Sequence, residues 1–352
     1  MDIFSPTSLG DIDLANRVAM APLTRMRSGD SGVPNDLNVE HYAQRAGLGL
    51  IVTEGTYPRW ESQAFVGQPG IVTDEQQAGW ARVAEAVHAR GGKIVMQVMH
   101  GGRVTHPAVN GGRRVEAPSA VAIDGSSHTP DGNQPYPVPH ALTVAEAHEV
   151  RDDFVAASRR AIEAGLDGVE VHGANGYLLH EFLSPLTNLR DDQYGGDLAG
   201  RARLLLEIVK AVRGAVGESV PLLVRFSATD WAEGGWDQEQ TATVAGWARD
   251  AGADMFDIST GGLVGGVTIP VAPGYQVDFA SFVGAEADVV VSAVGLITEA
   301  QHAAQIVSSG AADVVMLGRE FLRDPHFPLR AAHELGVSID YFPAQYIRAG
   351  YR

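Results

Sequence analysis

The chain of 352 residues contains no cysteine and only two lysines, Lys93 and Lys210. Without cysteine there are no disulfide bonds, thiolate nucleophiles, cysteine-ligated zinc sites or iron–sulfur clusters. No apolar run approaches the length of a membrane span. The acidic N-terminal stretch also lacks the apolar core of a signal peptide. We therefore expect a cytoplasmic protein with no membrane partner.

Positive charge is also scarce, because 26 Lys and Arg face 43 Asp and Glu, which gives a net charge of −17. Such a surface repels nucleic acid and anionic membranes, so we expect neither as a partner. The hydrophobic and charged shares, 45% and 20%, are ordinary for a globular protein. No linker composition interrupts the chain, which predicts a single domain over residues 1–352.

Short apolar runs alternate with helical patterns along the chain, as is typical of an α/β protein with a parallel sheet. Eight such runs with no sign of a second domain favour a closed (β/α)8 TIM barrel. The predicted strands are Val18–Pro22, Leu50–Thr53, Lys93–Val98, Gly168–His172, Leu222–Phe226, Met255–Ser259, Val289–Ala293 and Val314–Gly318. The last helical pattern predicts one helix over residues 320–334. Residues 101–142, after the third strand, form a long insertion that we expect to cap the barrel mouth.

The carboxyl ends of barrel strands carry the functional residues of this fold. Arg225 lies at the end of the fifth strand, where a buried guanidinium needs an anionic or electron-rich partner. No catalytic acid is evident at that strand end. We therefore expect a ligand as the partner, with an internal salt bridge as the alternative.

Glycines follow the seventh and eighth strands at Gly295 and Gly318, and Arg319 stands beside the second of them. Barrels of this class commonly bind phosphate at these two strand ends through backbone N–H groups. Gln97 and Thr24 supply further hydrogen-bonding groups across the mouth. The pattern fits a flat heterocycle with a phosphate tail, such as flavin mononucleotide (FMN).

The stretch "VHGANGY" places His172, Asn175 and Tyr177 together after the fourth strand. An imidazole and a carboxamide can both donate hydrogen bonds to an oxygen that gains negative charge. A phenol, with a reference pKa of about 10, can supply a proton. The combination suits addition of hydride to an activated C=C bond, with Tyr177 protonating the α-carbon.

Other classes of function remain open at this point. Pyridoxal phosphate and Schiff-base chemistry are disfavoured, because Lys93 begins its strand and Lys210 lies in a helix. A lyase or isomerase using His100, His172 and a metal would need acidic ligands at the strand ends. We expect no metal there, because those positions carry mainly Gln, Asn and Thr. A flavin-binding protein without turnover is the third possibility.

Segments along nearly the whole chain resemble the Old Yellow Enzyme family of FMN-dependent ene-reductases. They are "NRVAMAPLTRMRS" (16–28), "GLIVTEGTYP" (49–58), "MQVMHGGR" (96–103), "EVHGANGYLLHEFLSPLTNLRDDQYGG" (170–196), "VRFSATD" (224–230) and "VMLGREFLRDP" (315–325). The resemblance implies noncovalent FMN that NADPH or NADH reduces. The reduced flavin then passes hydride to the C=C bond of an α,β-unsaturated carbonyl or nitro compound.

The resemblance also implies roles for individual residues. Those that would bind the cofactor are Thr24 at flavin O4, Gln97 at the pyrimidine edge, Arg225 at N1 and O2, Pro22 and Gly55 along the ring, and Gly295, Gly318 and Arg319 at the phosphate. His172 and Asn175 would hold the activating group of the substrate, and Tyr177 would donate the proton.

Two segments, "VAPGYQVDFA" (271–280) and "QYIRAGYR" (345–352), resemble the thermophile-like bacterial subclass. In that subclass a C-terminal arginine reaches into the neighbouring subunit's site. Arg348, in the tail 341–352, is the candidate here, and a homodimer or homotetramer is expected.

Three residues depart from this subclass. Thr24 stands where a cysteine is usual, Asn175 where a second histidine is usual, and Met26 where a substrate-contacting tyrosine is common. The first two replacements are similar to the classical subclass. We expect Met26 and Tyr275 to shape the substrate pocket.

Overall fold

The structure is a computed structural model that describes residues 2–339, 341–342 and 344–350. Its centre is a closed barrel in which each strand runs parallel to the next. The strands are Val18–Met20 (β1), Leu50–Val52 (β2), Ile94–Val98 (β3), Gly168–Gly173 (β4), Leu222–Ser227 (β5), Met255–Ser259 (β6), Val291–Ala293 (β7) and Val314–Leu317 (β8). The predicted (β/α)8 barrel is confirmed. Each predicted strand is present, Met255–Ser259 with the predicted bounds and the others with slightly shifted bounds.

Helices surround the barrel and cover its outer face. They are Asp36–Ala43 (α1), Asp74–His88 (α2), Val144–Glu163 (α3), Leu178–Leu183 (α4), Leu198–Val216 (α5), Gln238–Asp250 (α6), Val277–Ala287 (α7), Ala300–Ser308 (α8), Arg319–Arg323 (α9) and Phe327–Glu334 (α10). Thr73 and Thr143 begin α2 and α3 with capping boxes, which satisfy backbone N–H groups that have no partner inside the helix. No helix among the described residues is long and apolar enough to span a membrane.

The prediction of one helix over residues 320–334 is wrong, because α9 and α10 are separate helices. Asp324, the residue after α9, has φ −130° and ψ 89°, well outside the helical region. Pro325 follows it, and a proline disfavours helical geometry in the residue before it. The apolar pattern continued through this break and concealed it.

The interior of the barrel is filled in layers by alternate residues of each strand. The deeper layer is apolar and includes Val95, Leu223, Met255 and Val314. At the next inward level, the residues of β3 to β6 are polar. They are Gln97 on β3, Glu170 on β4, Arg225 on β5 and Asp257 on β6. The barrel therefore has an apolar floor below a polar mouth.

The insertion after β3 contains a hairpin of Ser126–Thr129 with Gly132–Pro135. A short pairing of Glu116–Ala117 with His140–Ala141 closes its base. Glu116 is fully buried, and its carboxylate lies 3.1 Å from His100 Nε2. Arg114 Nε donates to the same carboxylate at 2.9 Å. The buried hydrogen bond between His100 and Glu116 thus fastens the insertion to the end of β3.

Replacing Glu116 with Gln should lower the free energy of unfolding by about 2 kcal/mol, because buried donors lose a charged acceptor. Burial raises the pKa of Glu116, but His100, Arg59 and Arg114 outweigh it and lower the pKa to about 2. A glutamate pKa lowered by folding stabilises the protein above about pH 4.3, and this stabilisation is lost as the pH falls towards the folded value.

Urea unfolding of both proteins at several pH values measures the difference, which should shrink in acid. Asp152→Asn removes a surface ion pair with Arg151 and serves as the control. Equal loss in the two variants at neutral pH would contradict the proposed fastening.

Candidate active site

A cavity of about 290 Å³ opens at the carboxyl ends of the barrel strands. Its lining combines residues that follow β1 with residues from the ends of β4 to β8. Among the predicted site residues, the cavity brings together Pro22, Asn175, Arg225, Tyr275, Gly295, Gly318 and Arg319. Their meeting at one point follows from the parallel barrel, which collects strand ends that are distant in sequence.

The other predicted site residues lie outside this lining. Gln97 and His172 are buried in the barrel mouth, whereas Thr24 and Met26 are exposed on the loop after β1. A Cβ atom on Gly55 would lie 2.6 Å from Met99 Sδ, so a larger residue here would require the Met99 side chain to move. Its predicted contact with the flavin ring stays a prediction.

The predicted C-terminal residue, Arg348, lies in the short 3₁₀ helix Ala344–Ala349 and is exposed. Residues 343, 351 and 352 of the predicted tail lie outside the described residues. The contribution of Arg348 to a neighbouring subunit therefore stays a prediction.

Arg225 has an internal acidic partner, so the internal salt bridge that the sequence left open as the alternative is present. Its guanidinium forms an ion pair with Asp257 on the adjacent strand β6. The side chain of Asp257 is fully buried and also accepts a hydrogen bond from Ser292 Oγ at 3.1 Å. Asp257 stands two residues before Ser259, the strand-end residue, so its inward direction could have been deduced from strand alternation.

Arg225 also fixes the direction of the Asn175 carboxamide. Its Nε donates to Asn175 Oδ1 at 3.3 Å, and the Asn175 Nδ2 group lies 3.3 Å from Ser259 Oγ. The backbone of Asn175 is left-handed, with φ 55°, and its N–H donates to Ser227 Oγ at 2.9 Å. Because the amide oxygen accepts from Arg225, the donor end of Asn175 faces the end of β6, where Nδ2 also lies 3.5 Å from the carbonyl oxygen of Thr260.

His172 is held as a neutral donor. Burial lowers the pKa of His172 well below its ordinary value, and the positive Arg225 acts in the same direction. Its Nδ1 accepts a hydrogen bond from the backbone N–H of Ala174 at 3.2 Å. The proton of the neutral ring is therefore on Nε2, which is free to donate.

Tyr177 packs edge-on against His172, with 5.0 Å between the ring centroids. Burial raises the pKa of Tyr177 to about 12, and Tyr136 of the insertion acts in the same direction. The phenol is therefore protonated at neutral pH. It can give a proton but cannot serve as a base.

The side of the cavity next to β7 and β8 is suited to an anion. Gly318 is the residue before α9, and the exposed Arg319 forms no ion pair with any described residue. Gly295 has φ 128°, which side-chain-bearing residues rarely adopt, and a Cβ atom there would lie 3.1 Å from Gln276 Nε2. Backbone N–H groups and an unpaired guanidinium are the donors that phosphate binds.

Several lining residues were missed by sequence reasoning, notably Thr260. Thr260 Oγ1 donates to Gln276 Oε1 at 2.6 Å, and Gln276 Nε2 donates to the carbonyl of Val294 at 3.1 Å. These bonds join the loops after β6 and β7. They depend on loop conformation, for which the sequence carries no periodic signal.

Comparison with known proteins shows to which family the chain belongs. Residues 2–337 match the NADH:flavin oxidoreductase / NADH oxidase family. The NADPH dehydrogenase of Listeria monocytogenes is 40% identical over 350 residues, covering 99% of this chain and 98% of that protein. The NADPH dehydrogenase of Bacillus subtilis is 38% identical over 349 residues, covering 98% of each.

Solved structures agree with this assignment. The Old Yellow Enzyme homologue of Zymomonas mobilis superposes with a TM-score of 0.86 at 32% identity, covering 100% of this chain and 97% of that one. Morphinone reductase superposes with a TM-score of 0.83 at 35% identity, covering 98% and 92%. The chain belongs to the Old Yellow Enzyme family within the NADH:flavin oxidoreductases. It is an oxidoreductase that uses FMN and a nicotinamide nucleotide.

The residues present fit this cofactor. The anion-binding side of the cavity suits the phosphate, and the polar mouth around Arg225 suits the heterocycle. Among the described residues, no group of three or more His, Cys, Asp or Glu side chains is arranged to hold a metal ion.

Replacing Gly295 with Ala should lower the free energy of unfolding by about 1–3 kcal/mol, because alanine at φ 128° is strained. Gly246→Ala is the matched control. It lies inside α6 with open space around its Cβ position, so the change should stabilise the fold by up to about 1 kcal/mol. Urea unfolding measures both variants. Equal effects of the same sign would contradict the strain assigned to Gly295.

Proposed function

We propose that this chain is an ene-reductase that reduces the C=C bond of α,β-unsaturated carbonyl or nitro compounds. The observation that supports this most directly is that two N–H donors of fixed direction lie beside a phenol, which is a weak acid. His172 and Asn175 both present N–H groups, and the Tyr177 ring lies against His172. Bound FMN would supply the hydride, after taking it from NADPH or NADH.

Residues of the chain bind the activating group of the substrate and donate the proton. His172 and Asn175 hold the oxygen of the carbonyl or nitro group and stabilise the negative charge that develops there. They polarise the C=C bond so that its β-carbon accepts hydride. Tyr177 gives its proton to the α-carbon as the charge returns from the oxygen. Since the pKa of Tyr177 is raised to about 12, the proton is present throughout the neutral range.

The cofactor would be held by residues along the cavity and the barrel mouth. Arg225 and Gln97 would bind the pyrimidine half of the ring, and Thr24, on the loop after β1, would bind flavin O4. Pro22 and Gly55 would line the ring. Gly295, Gly318 and Arg319 would hold the phosphate.

Substrate selectivity would depend on the less buried residues near the mouth. Met26 and Tyr275 would shape the pocket beside the donors. Arg348 would reach into a neighbouring site in a homodimer or homotetramer.

Replacing Tyr177 with Phe should slow reoxidation of the reduced flavin by an enone about 100-fold or more, because a positioned acid is lost. Reduction by NADPH should be unchanged. Anaerobic stopped-flow spectroscopy separates the two half-reactions. Tyr194→Phe removes a phenol hydroxyl that donates to Glu207 outside the cavity, so it should affect neither step. Equal slowing of both half-reactions in Tyr177→Phe would refute the role as proton donor.

Replacing His172 and Asn175 together with Ala should weaken binding of a phenol by roughly 100-fold, because two hydrogen bonds to a partly anionic oxygen are lost. A phenolate resembles the enolate that forms after hydride addition. Isothermal titration calorimetry of the FMN-loaded protein measures the affinity. Unchanged affinity would show that this pair does not hold the substrate oxygen. A yellow protein that no alkene reoxidises would instead indicate flavin binding without turnover.

A further inference from the structure

Glu170 is a fully buried carboxyl group on β4 to which the proposed reaction assigns no role. Its Oε1 accepts a hydrogen bond from Gln97 Nε2 at 2.7 Å across the β3–β4 pairing. Its Oε2 is buried and has no hydrogen-bond partner among the described residues. A buried polar atom without a hydrogen-bond partner lowers the free energy of unfolding. This suggests that the hydrogen bond between Glu170 Oε1 and Gln97 has a function.

The charged groups around Glu170 do not neutralise it. Arg225 on β5 is the cation that faces it, and Arg225 is already paired with Asp257 on β6. His172, two residues further along β4, is neutral because burial lowers its pKa. Two carboxyl groups thus share one cation. Burial, together with the charge of Asp257, raises the pKa of Glu170 to about 8.

The contact with Glu170 determines which end of Gln97 remains available. The Gln97 amino group is bound to Glu170 Oε1, and its backbone N–H is bound to Thr53 Oγ1 at 3.0 Å. The groups left over are the carboxamide oxygen, which is an acceptor, and the second N–H of the amino group. An acceptor at the pyrimidine edge suits the imide N–H of a flavin ring. The opposite end would present two donors to that N–H.

We propose that Glu170 is a positioning residue that orients the Gln97 carboxamide so that its oxygen accepts the imide N3–H of the bound flavin. This inference rests on the proposed placement of Gln97 at the flavin ring. Glu170 acts through Gln97 and needs only its acceptor oxygen, so Gln at position 170 should substitute for it.

The experiment uses the apoprotein, with FMN and N3-methyl-FMN as probes and flavin fluorescence quenching as the readout. In the wild type, N3-methylation should weaken binding about tenfold, the value of about one hydrogen bond. Glu170→Met removes the acceptor at similar length. It should weaken FMN binding about tenfold and abolish the penalty of N3-methylation. Glu170→Gln should retain both wild-type values.

Glu181→Met is the matched control. Glu181 is also fully buried, has an unpaired Oε2 and accepts a hydrogen bond at 2.8 Å, but from the backbone of Arg103. It does not line the cavity, so both affinities should stay at wild-type values. Thermal unfolding of each apoprotein reports loss of stability separately from loss of flavin affinity.

Three results would overturn the proposal: wild-type FMN affinity in Glu170→Met, a persistent N3-methyl penalty in that variant, or equal losses in Glu170→Gln and Glu170→Met. The last result would mean that the charge matters rather than the acceptor. If Glu170→Met does not fold, the affinities of the wild type still test the orientation of Gln97. Equal binding of FMN and N3-methyl-FMN by the wild type would contradict an acceptor at N3. A wild type that binds no flavin would instead refute the proposed function.

Discussion

The buried ion pair of Arg225 with Asp257 organises the mouth of the barrel. It joins β5 to β6, and Ser292 extends it to β7. The same guanidinium occupies the oxygen of Asn175 on the far side. Breaking a buried ion pair of this kind would leave a buried charge without a partner. The pair therefore holds β5, β6, β7 and the loop after β4 in one arrangement. Without it, neither the direction of Asn175 nor the position of the guanidinium in the cavity would be defined.

Neighbouring groups fix the direction of the N–H donors of His172 and Asn175 before any ligand binds. The backbone N–H of Ala174 places the His172 proton on Nε2, and Arg225 leaves Asn175 with only donors to offer. Donors that are already aimed need no reorganisation as charge develops, which is the main source of electrostatic catalysis.

The order of elements and most of the site could be predicted from sequence, because both follow from local rules. Buried parallel strands appear as short apolar runs, and their carboxyl ends must converge in a closed barrel. Glu170 and Asp257 were not recognised as site residues because they lie inside apolar strands, two residues before the polar strand ends. Strand alternation places them inward, but only the register shows that they meet Gln97 and Arg225. The break at Asp324 could not be predicted for a different reason, because the apolar pattern continues beyond the end of α9.

Binding of FMN beside donors that activate an alkene can be followed by the anaerobic absorbance spectrum of the FMN-loaded protein, recorded during addition of NADPH and then of an enone. The yellow flavin band should disappear with NADPH and return with the enone in the absence of oxygen. A protein that takes up no FMN, or whose reduced flavin persists with every enone and nitroalkene, would contradict the proposed function.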